Sequence, residues 1–373
     1  MMKKMKYTKK LFKHKNPYDL EGTDALFVQA MRENAVFQYQ NCADYRRILD
    51  EFDFCPEKIG SMEDLVRLPF LPTLYFKHHH LQSVPPGKQL IKATSSGTRG
   101  SMSKIGFDFH TLSLGLDMVI RVGKYHRLWS ATPVNYIIFG YQPTAGNQTA
   151  VSKTAYGFTF FAPALSRTFA LEMTDSGYKL SWDKVLRAFE RCSVSRFPLR
   201  TMGFPSYTYF LLKEMESRGL AYSMPKGSMV AVGGGWKQFY SQQVDKHEFY
   251  RLVKKILDID DENVIEFFGA VEHPILYNDC SHHHFHVPIY SRVIIRNPDD
   301  FSPLENGKPG LVNLLTPMIQ GAPLLSIITD DLGILHSEKC PCQTASPWLE
   351  IVGRVGISDI ITCAAGAEKY LKE

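Results

Sequence analysis

Long apolar runs, internal repeats and cysteines are all scarce or missing in this sequence of 373 residues. No apolar run approaches the roughly 18 residues that cross a bilayer, which excludes a transmembrane helix. The lysine-rich start, residues 1–15, lacks the apolar stretch and small-residue cleavage site of a secretory signal, so we expect a cytoplasmic enzyme. No repeat with a period of about 20–50 residues is visible, which excludes repeat architectures.

Cysteine accounts for only seven residues, at positions 42, 55, 192, 280, 340, 342 and 363. A small disulfide-stabilised secreted fold uses an even, dense set of cysteines, so this odd and scattered set favours reduced thiols. Reduced thiols can act as metal ligands or as nucleophiles.

The positive charge of the chain is concentrated at its start. Lys and Arg outnumber Asp and Glu by 43 to 38, but seven lysines precede the first acid, Asp19. The rest of the chain has 36 basic and 38 acidic residues, a net charge of −2, so we expect no nucleic-acid-binding face. Hydrophobic residues make up 44% of the chain, which supports a buried core and excludes a disordered, collagen-like or coiled-coil protein.

Predicted strands and helices alternate over most of the chain. Apolar spacing predicts one helical region from about Ala25 to Phe52, followed by a proline-rich loop. The predicted strands are Asn135–Phe139, Met229–Val232, Val264–Phe268, Val293–Ile295, Leu311–Leu315 and Leu324–Ile328. The predicted helices are Thr111–Lys124, Trp182–Arg191, Ser206–Arg218 and Asp245–Leu257, with Ser206 as a candidate N-terminal cap.

This alternation predicts the α/β class, with a layered, mostly parallel sheet flanked by helices and with ligands at the carboxyl ends of its strands. Helical patterns nearly vanish after Ser281. We therefore expect an α/β core over residues 1–280, a small β-rich subdomain over residues 281–354, and a short tail over residues 355–373.

The densest hydroxyl- and glycine-rich segment of the chain runs from Ile91 to Lys104. Glycines let backbone N–H groups converge, and hydroxyls and an arginine add donors for an anion. The segment lacks the G-x-x-x-x-G-K-[ST] pattern, so a P-loop NTPase is not indicated. Taken alone, it is more typical of a flexible surface turn than of an anion-binding loop. The candidate anion-binding residues are Ser95, Ser96, Gly97, Thr98, Arg99, Gly100 and Ser103.

Ser95–Ser103 resembles the TSGTTG-type phosphate loop of the adenylate-forming enzymes, and four further segments resemble that superfamily in the same order. Phe268–Glu272 is similar to its aromatic-Gly-x-Thr-Glu segment, with Val271 in place of threonine. Thr329–Asp331 is similar to its Thr-Gly-Asp, with Asp330 in place of glycine. The other two are Gly233-Gly234-Gly235-Trp236-Lys237, a Gly-rich strand end, and Gly353-Arg354, which opens the hinge of that superfamily.

The resemblance implies ATP and Mg²⁺ as cofactors. The hydroxyl-rich loop would grip the β- and γ-phosphates, and Glu272 would help to hold Mg²⁺, a hard cation that prefers oxygen ligands. Phe268 would stack on adenine, Asp331 would accept hydrogen bonds from the ribose, and Arg354 would reach the nucleotide. The backbone glycines Gly233, Gly234, Gly235 and Gly269 complete the implied nucleotide site.

The sequence after Gly353-Arg354 departs from most of the superfamily. Adenylate-forming enzymes normally continue with a mobile C-terminal domain that carries a catalytic lysine, whereas here only residues 355–373 follow. Over nearly its whole length the chain resembles the LuxE-type acyl-protein synthetases, with phenylacetate-CoA ligases as relatives. The segments Leu68–Pro72 and Gly233–Lys237 and the short cysteine-bearing tail carry this resemblance.

In the LuxE-type family a cysteine shortly after the Gly-Arg carries the acyl group as a thioester, and Cys363 matches that position. Ile361-Thr362 replaces the family's Arg-Gly, which removes a cation that would favour the thiolate. The alternative is an inert cysteine on a short C-terminal helix. Because the mobile domain's lysine is missing, Lys237, or alternatively Lys104, would supply the positive charge for adenylation.

A second group of candidate ligands lies in the predicted β-rich subdomain. Residues 280–286 read Cys-Ser-His-His-His-Phe-His, and residues 340–342 read Cys-Pro-Cys. Three thiolates and one imidazole form a closed tetrahedral set that suits structural Zn²⁺. Phenylacetate-CoA-ligase-like proteins have a similar pattern, which assigns Cys280, His286, Cys340 and Cys342, with His283 or His284 as alternatives to His286. A solvated histidine-rich loop beside unrelated thiols is the competing interpretation.

The leading hypothesis is ATP-dependent activation of a carboxylic acid as an acyl-adenylate, followed by transfer of the acyl group to a cysteine thiol. The resemblance implies a long-chain fatty acid as substrate and an acyl-reductase or carrier-protein partner. One alternative is an acyl- or aryl-CoA or carrier-protein ligase. Another is a catalytically silent nucleotide-binding relative, because Val271 and Asp330 depart from the superfamily pattern.

Overall fold

The computed structural model describes residues 5–94, 104–142, 150–174 and 177–355. The chain divides into two units. Unit 1 contains Met1–Val122, Gly269–Tyr277 and His284–Glu373, and unit 2 contains Gly123–Phe268 and Asn278–His283. The predicted boundaries after residues 280 and 354 stay predictions. Among the described helices, none is both long enough and apolar enough to cross a membrane.

The helices of the described residues, in chain order, are α1 (Lys6–Phe12), α2 (Asp24–Asn41), α3 (Ala43–Glu51), α4 (Met62–Val66), α5 (Tyr75–His78), α6 (Phe109–Tyr125), α7 (Ala150–Phe158), α8 (Trp182–Ser193), α9 (Pro205–Ser217) and α10 (Lys246–Leu257). The strands are β1 (Leu71–Pro72), β2 (Gln89–Thr94), β3 (Lys104–Asp108), β4 (Val134–Tyr141), β5 (Ala164–Thr174), β6 (Gly177–Leu180), β7 (Leu199–Gly203), β8 (Met229–Gly233), β9 (Val264–Phe268), β10 (Tyr277–Asn278), β11 (Phe285–His286), β12 (Arg292–Arg296), β13 (Gly310–Leu315), β14 (Ser326–His336) and β15 (Trp348–Arg354).

The larger sheet confirms the predicted parallel α/β arrangement. Its strand order is β10-β9-β8-β7-β4-β5-β6. β4 runs parallel to β5 and β7, and the parallel pairing continues from β7 to β8 and from β8 to β9. Strands joined through helices in this way place their carboxyl ends at one edge, where ligands of open α/β sheets bind.

Helices α8, α9 and α10 cover this sheet through one buried cluster. α8 buries Val185, Phe189 and Cys192, spaced four and three residues apart, because this spacing puts them on one helical face. Ile137 of β4 and Val230 of β8 belong to the same cluster and are fully buried. Burial of such side chains supplies about 1.5–3 kcal/mol each, so this cluster is the stabilising core of unit 2.

Unit 1 contains a second sheet, of order β11-β15-β14-β13-β12, in which each strand pairs antiparallel with the next. β1 joins it in parallel with β14. The N-terminal helices pack in the same unit: the buried amide of Asn34 on α2 donates to the carbonyls of Pro317 at 2.9 Å and Ile319 at 2.8 Å. Arg292 of β12 donates to Asp24 Oδ1 at 2.6 Å and lies over the ring of Phe27.

Two local predictions were wrong. The helical region from Ala25 to Phe52 is two helices, because Cys42 has extended backbone angles between α2 and α3. Ser206 does not cap α9: Phe204 is the capping residue, without a side-chain hydrogen bond, and Pro205 occupies the first turn. Proline suits that position because its missing N–H would have no helical partner there.

Candidate active site and metal centre

The predicted phosphate loop, with Ser95, Ser96, Gly97, Thr98, Arg99, Gly100 and Ser103, lies outside the described residues. The structure describes the two strands that flank it. β2 and β3 form an antiparallel pair in which Thr94 is opposite Lys104. A β-hairpin therefore brings the two ends of this segment together, and the sequence had not predicted these strands.

The glycine-rich segment after β8 lies at the carboxyl edge of the larger sheet. Gly233 pairs with Phe267, so this segment and Phe268 follow neighbouring parallel strands. Gly234 and Gly235 have φ angles of 81° and 70°, a left-handed conformation that glycine adopts without strain. A Cβ on Gly233 would lie 3.1 Å from the carbonyl oxygen of Phe267. The backbone, rather than a side chain, is therefore presented at this edge. Lys237 follows in a short 3₁₀ segment, and its side chain is outside the described set.

Glu272 lies in a tight turn of unit 1 and is only 4% exposed. The N–H of His273 donates to the carbonyl of Ala270 at 3.1 Å, and the N–H of Ile275 donates to the carbonyl of His273 at 2.8 Å. Gly269 opens the turn, where a Cβ would lie 3.2 Å from the carbonyl oxygen of Ile275. The turn thus fixes the backbone on both sides of the predicted Mg²⁺ ligand.

Sequence reasoning missed the residue next to this acid. His273 is fully buried, and burial lowers its pKa to about 3. Its Nε2 lies 3.0 Å from Ser291 Oγ, and Tyr277 donates to the same hydroxyl at 2.8 Å. The only sequence signal was a histidine directly after Glu272, and nothing in the sequence pairs it with Ser291.

Asp331 and Arg354 are directly opposite each other on β14 and β15. The Nε of Arg354 donates to Asp330 Oδ2 at 2.6 Å and lies 3.9 Å from Asp331 Oδ1. The acid that stands in place of the family's glycine therefore holds the guanidinium. The structure brings together the predicted nucleotide-binding residues Asp331 and Arg354 here, with a second acid, Asp330, that the sequence had marked only as a departure.

The predicted metal ligands also come together. Cys280, His286, Cys340 and Cys342 each offer one ligand atom, and these atoms all lie within 4.8 Å of one another. Cys342 Sγ lies 3.2 Å from His286 Nε2. Three thiols and an imidazole at these separations match the Cys₃His donor set of closed tetrahedral sites, so the cluster could hold a metal ion.

The hydrogen bond on the far side of the His286 ring supports this role. Its Nδ1 lies 2.9 Å from the carbonyl oxygen of Ser346, which can only accept, so Nδ1 carries the proton. The Nε2 lone pair is then directed at the cluster. A ligand histidine in proteins is commonly held in this way through its other ring nitrogen.

The two histidines that were alternatives to His286 have further contacts of their own. His283 lies 3.0 Å from Asp279 Oδ2 and stacks on the ring of Tyr250. His284 stacks on Trp348, with ring centroids 3.7 Å apart, and its Nδ1 lies 3.2 Å from Cys340 Sγ. Of these histidines, His286 is the one grouped with all three cysteines in the set whose ligand atoms lie within 4.8 Å of one another. Cys363 lies outside the described residues.

Comparison with solved structures shows the fold. An open conformation of 2-hydroxyisobutyryl-CoA ligase, in complex with 2-HIB-AMP and CoA, aligns with a TM-score of 0.66 and 13% identity over 91% of this chain and 76% of that chain. The fold is that of the adenylate-forming enzymes, as predicted. A profile of the acyl-protein synthetase (LuxE) family matches residues 11–371, and the chain belongs to that family of AMP-forming ligases.

Two curated relatives agree with this assignment. The long-chain-fatty-acid–luciferin-component ligase of Aliivibrio fischeri is 25% identical over 348 residues, covering 92% of this chain and 88% of the relative. A phenylacetate-coenzyme A ligase of Thermus thermophilus is 24% identical and covers 86% of this chain and 68% of the relative. Both relatives are named as ligases that act on carboxylic acids.

Proposed function

We propose that this ligase activates a long-chain fatty acid with MgATP and transfers the acyl group to the thiol of Cys363. A carboxylate oxygen attacks the α-phosphate and releases pyrophosphate, and the thiolate then attacks the acyl carbon and releases AMP. The observation that carries the proposal is the family match over residues 11–371, which includes the nucleotide motifs and Cys363. The named fatty-acid substrate of the Aliivibrio fischeri relative supports the choice of acid.

In this proposal the carboxyl edge of the larger sheet receives the nucleotide. The backbone at Gly233–Gly235 leaves room for it, and Phe268, at the end of the neighbouring strand, stacks on adenine. Asp331 accepts from the ribose hydroxyls. Arg354, held by Asp330, reaches the phosphate side. The segment 95–103 holds the β- and γ-phosphates.

Glu272 is the proposed ligand of Mg²⁺, and its buried position in a turn with backbone hydrogen bonds fixes the main chain that carries the carboxylate. Bound Mg²⁺ would neutralise charge on the phosphates. Lys237, or alternatively Lys104, would add positive charge at the reacting α-phosphate. An acyl-reductase or a carrier protein would then take the acyl group from the cysteine.

The Cys₃His cluster is a proposed structural Zn²⁺ site. Zn²⁺ prefers thiolate and imidazole ligands in a closed tetrahedral set, and structural sites of this kind stabilise the loops that supply them. The proton on His286 Nδ1 and the approach of Cys342 Sγ to Nε2 support this assignment.

The activation step is tested by exchange of labelled pyrophosphate into ATP with a panel of fatty and aromatic acids. We expect exchange that depends on long-chain fatty acids and falls by at least about a hundredfold in Glu272→Gln, since one removed transition-state contact costs about that much. If none of the acids supports exchange, only the alternative of a catalytically silent nucleotide-binding relative would remain.

The acceptor is tested separately, with labelled fatty acid and ATP followed by hydroxylamine. We expect hydroxylamine-labile label on the wild-type chain and on Cys55→Ser, an exposed-cysteine control, and none on Cys363→Ser. Label that persists on Cys363→Ser would contradict this acceptor while leaving activation intact. If added CoA is rapidly converted to labelled acyl-CoA while the protein itself stays unlabelled, the CoA-ligase alternative would be favoured.

A further inference from the structure

Exposed apolar side chains are concentrated in one part of unit 2. Of the eleven large apolar side chains that are exposed among the described residues, five lie between positions 125 and 165. They are Tyr125, Trp129, Tyr156, Phe160 and Leu165, and we call them the aromatic patch. Phe160 and Leu165 remain 57% and 51% exposed. Contiguous exposed apolar surface on a folded protein usually marks an interaction site.

Ring contacts join two members of the patch to each other and attach a third to a buried ring. Tyr156 meets Phe160 edge-on with centroids 5.2 Å apart, and Trp129 meets the buried Phe161 at 4.9 Å. A cavity of about 410 Å³ opens beside them, lined by Trp129, Phe160, Phe161, Pro163 and Arg167 among others. An apolar side chain of a partner could be anchored in a cavity of this size.

The charged residues of this sequence segment have one sign. Between Asp117 and Glu172 the sequence contains no acidic residue. Arg167 lies against the patch, with its guanidinium carbon 5.8 Å and 5.7 Å from the ring centroids of Tyr156 and Phe160. Its Nε donates to Thr159 Oγ1, and within the described ranges no carboxylate pairs with it. Exposed Lys124 and Arg127 add further positive charge next to Tyr125.

The patch lies away from the proposed nucleotide edge of the same sheet. Val134 and Ala164 begin β4 and β5 and are paired, so residues 129–134 and 159–164 adjoin the amino ends of these parallel strands. Gly233 and Phe268 end β8 and β9, at the opposite edge. A ligand of the patch would therefore not compete with the nucleotide for the carboxyl ends.

We propose that the aromatic patch and Arg167 form a docking surface for an acidic protein segment with apolar side chains. Aromatic residues and arginine dominate the binding energy of protein interfaces, whereas acidic residues are depleted there. The absence of acids between residues 118 and 171 favours a partner of negative charge, and the cavity beside Trp129 receives an apolar anchor. The proposal does not depend on the acid or the acyl acceptor.

The test is selection of binders from a random dodecapeptide library displayed on phage, with the intact protein immobilised. We expect enrichment of peptides that combine Asp or Glu with Leu, Phe or Trp. In Phe160→Ser and in Arg167→Glu, affinity for the selected peptides should fall at least about tenfold, the loss typical of an interface hot spot. Pyrophosphate exchange should stay at the wild-type rate in both variants, which shows that they fold.

The chain offers a matched control for each change. Phe52→Ser alters a phenylalanine that is 58% exposed but lies in unit 1, and Arg187→Glu reverses the charge of an exposed arginine on α8. Both should bind the selected peptides as the wild type does. Selection without an acidic bias, or equal loss in the control variants, would overturn the proposal. So would a dimer in analytical ultracentrifugation that Phe160→Ser dissociates, because a second copy would then occupy the patch.

Discussion

The Nε2 of His273, the residue that follows the predicted Mg²⁺ ligand in sequence, lies 3.0 Å from the Oγ of Ser291 in a fully buried network. Ser291 donates to the carbonyl of Leu315 at 2.9 Å and accepts from Tyr277 at 2.8 Å. The remaining lone pair of Ser291 Oγ can accept a hydrogen bond from His273 only if the Nε2 of His273 carries the imidazole proton. Nδ1 is then unprotonated, and it has no hydrogen-bond partner among the described residues.

Protonation of this ring would bury an unpaired charge, which explains the lowered pKa of His273, about 3. In the unfolded chain the group titrates near its ordinary value of 6.5. Its contribution to stability is therefore complete above pH 6.5 and is lost as the pH falls from 6.5 towards 3. The slope is about 1.4 kcal/mol per pH unit in that window.

We predict that His273→Gln lowers the free energy of unfolding at pH 8 by about 1–3 kcal/mol, because it disturbs a buried network. The difference from the wild type should then shrink between pH 6.5 and pH 5, since glutamine does not titrate. Urea unfolding at pH 8, 6.5 and 5 measures both effects. The exposed His247→Gln is the control. A difference that stays constant with pH would show that His273 is not kept neutral by the fold.

The metal cluster leads to a second prediction. Cys340 and Cys192 are buried to the same degree, at 3% and 4% exposed, but only Cys340 belongs to the cluster. We expect about one zinc ion per chain in the wild type and in Cys192→Ser, and none in Cys340→Ser, because a closed site uses all four ligands. Elemental analysis after dialysis measures the zinc content.

The two variants should also differ in thermal stability. Cys340→Ser should have a lower melting temperature than the wild type. A strong chelator should lower the melting temperatures of the wild type and of Cys192→Ser towards that of Cys340→Ser, because metal binding is coupled to folding. If the wild type contained no zinc, or if Cys340→Ser retained it, the tetrahedral assignment would be wrong.

A third prediction concerns the hairpin beside the phosphate-loop segment. A Cβ on Gly321 would lie 2.5 Å from the carbonyl oxygen of Gly106 on β3, a backbone atom that cannot rotate away. Gly321→Ala should therefore displace β3, lower the free energy of unfolding by about 1–3 kcal/mol and raise the KM for ATP. Urea unfolding and pyrophosphate exchange measure the two effects.

Gly87→Ala is the matched control for this change, because a Cβ there would meet nothing within 4 Å. It should leave both stability and KM near the wild-type values. A Gly321→Ala variant that behaves like Gly87→Ala would show that β3 tolerates the shift and does not position the loop.

Local patterns predicted the regular elements well where burial and periodicity agree. The strand Val264–Phe268 has the predicted bounds, and the helix predicted over Trp182–Arg191 extends only two residues further. The predictions failed where a single backbone position decides. Cys42 interrupts a helical pattern with extended angles, and the short strands flanking residues 95–103 pair, within the described part of the chain, only with each other.

The sequence determined the order and the chemical type of the site residues. The glycine-rich segments, the acid at position 272 and the Cys-Pro-Cys segment are local patterns that a family profile can match. Only the tertiary structure decided which groups meet. His286 rather than a neighbouring histidine reaches Cys342, 56 residues away, and His273 finds Ser291. Such pairs depend on strand register and burial, because a hydrogen bond or a ligand set needs positions accurate to a fraction of an ångström, which residue types alone do not specify.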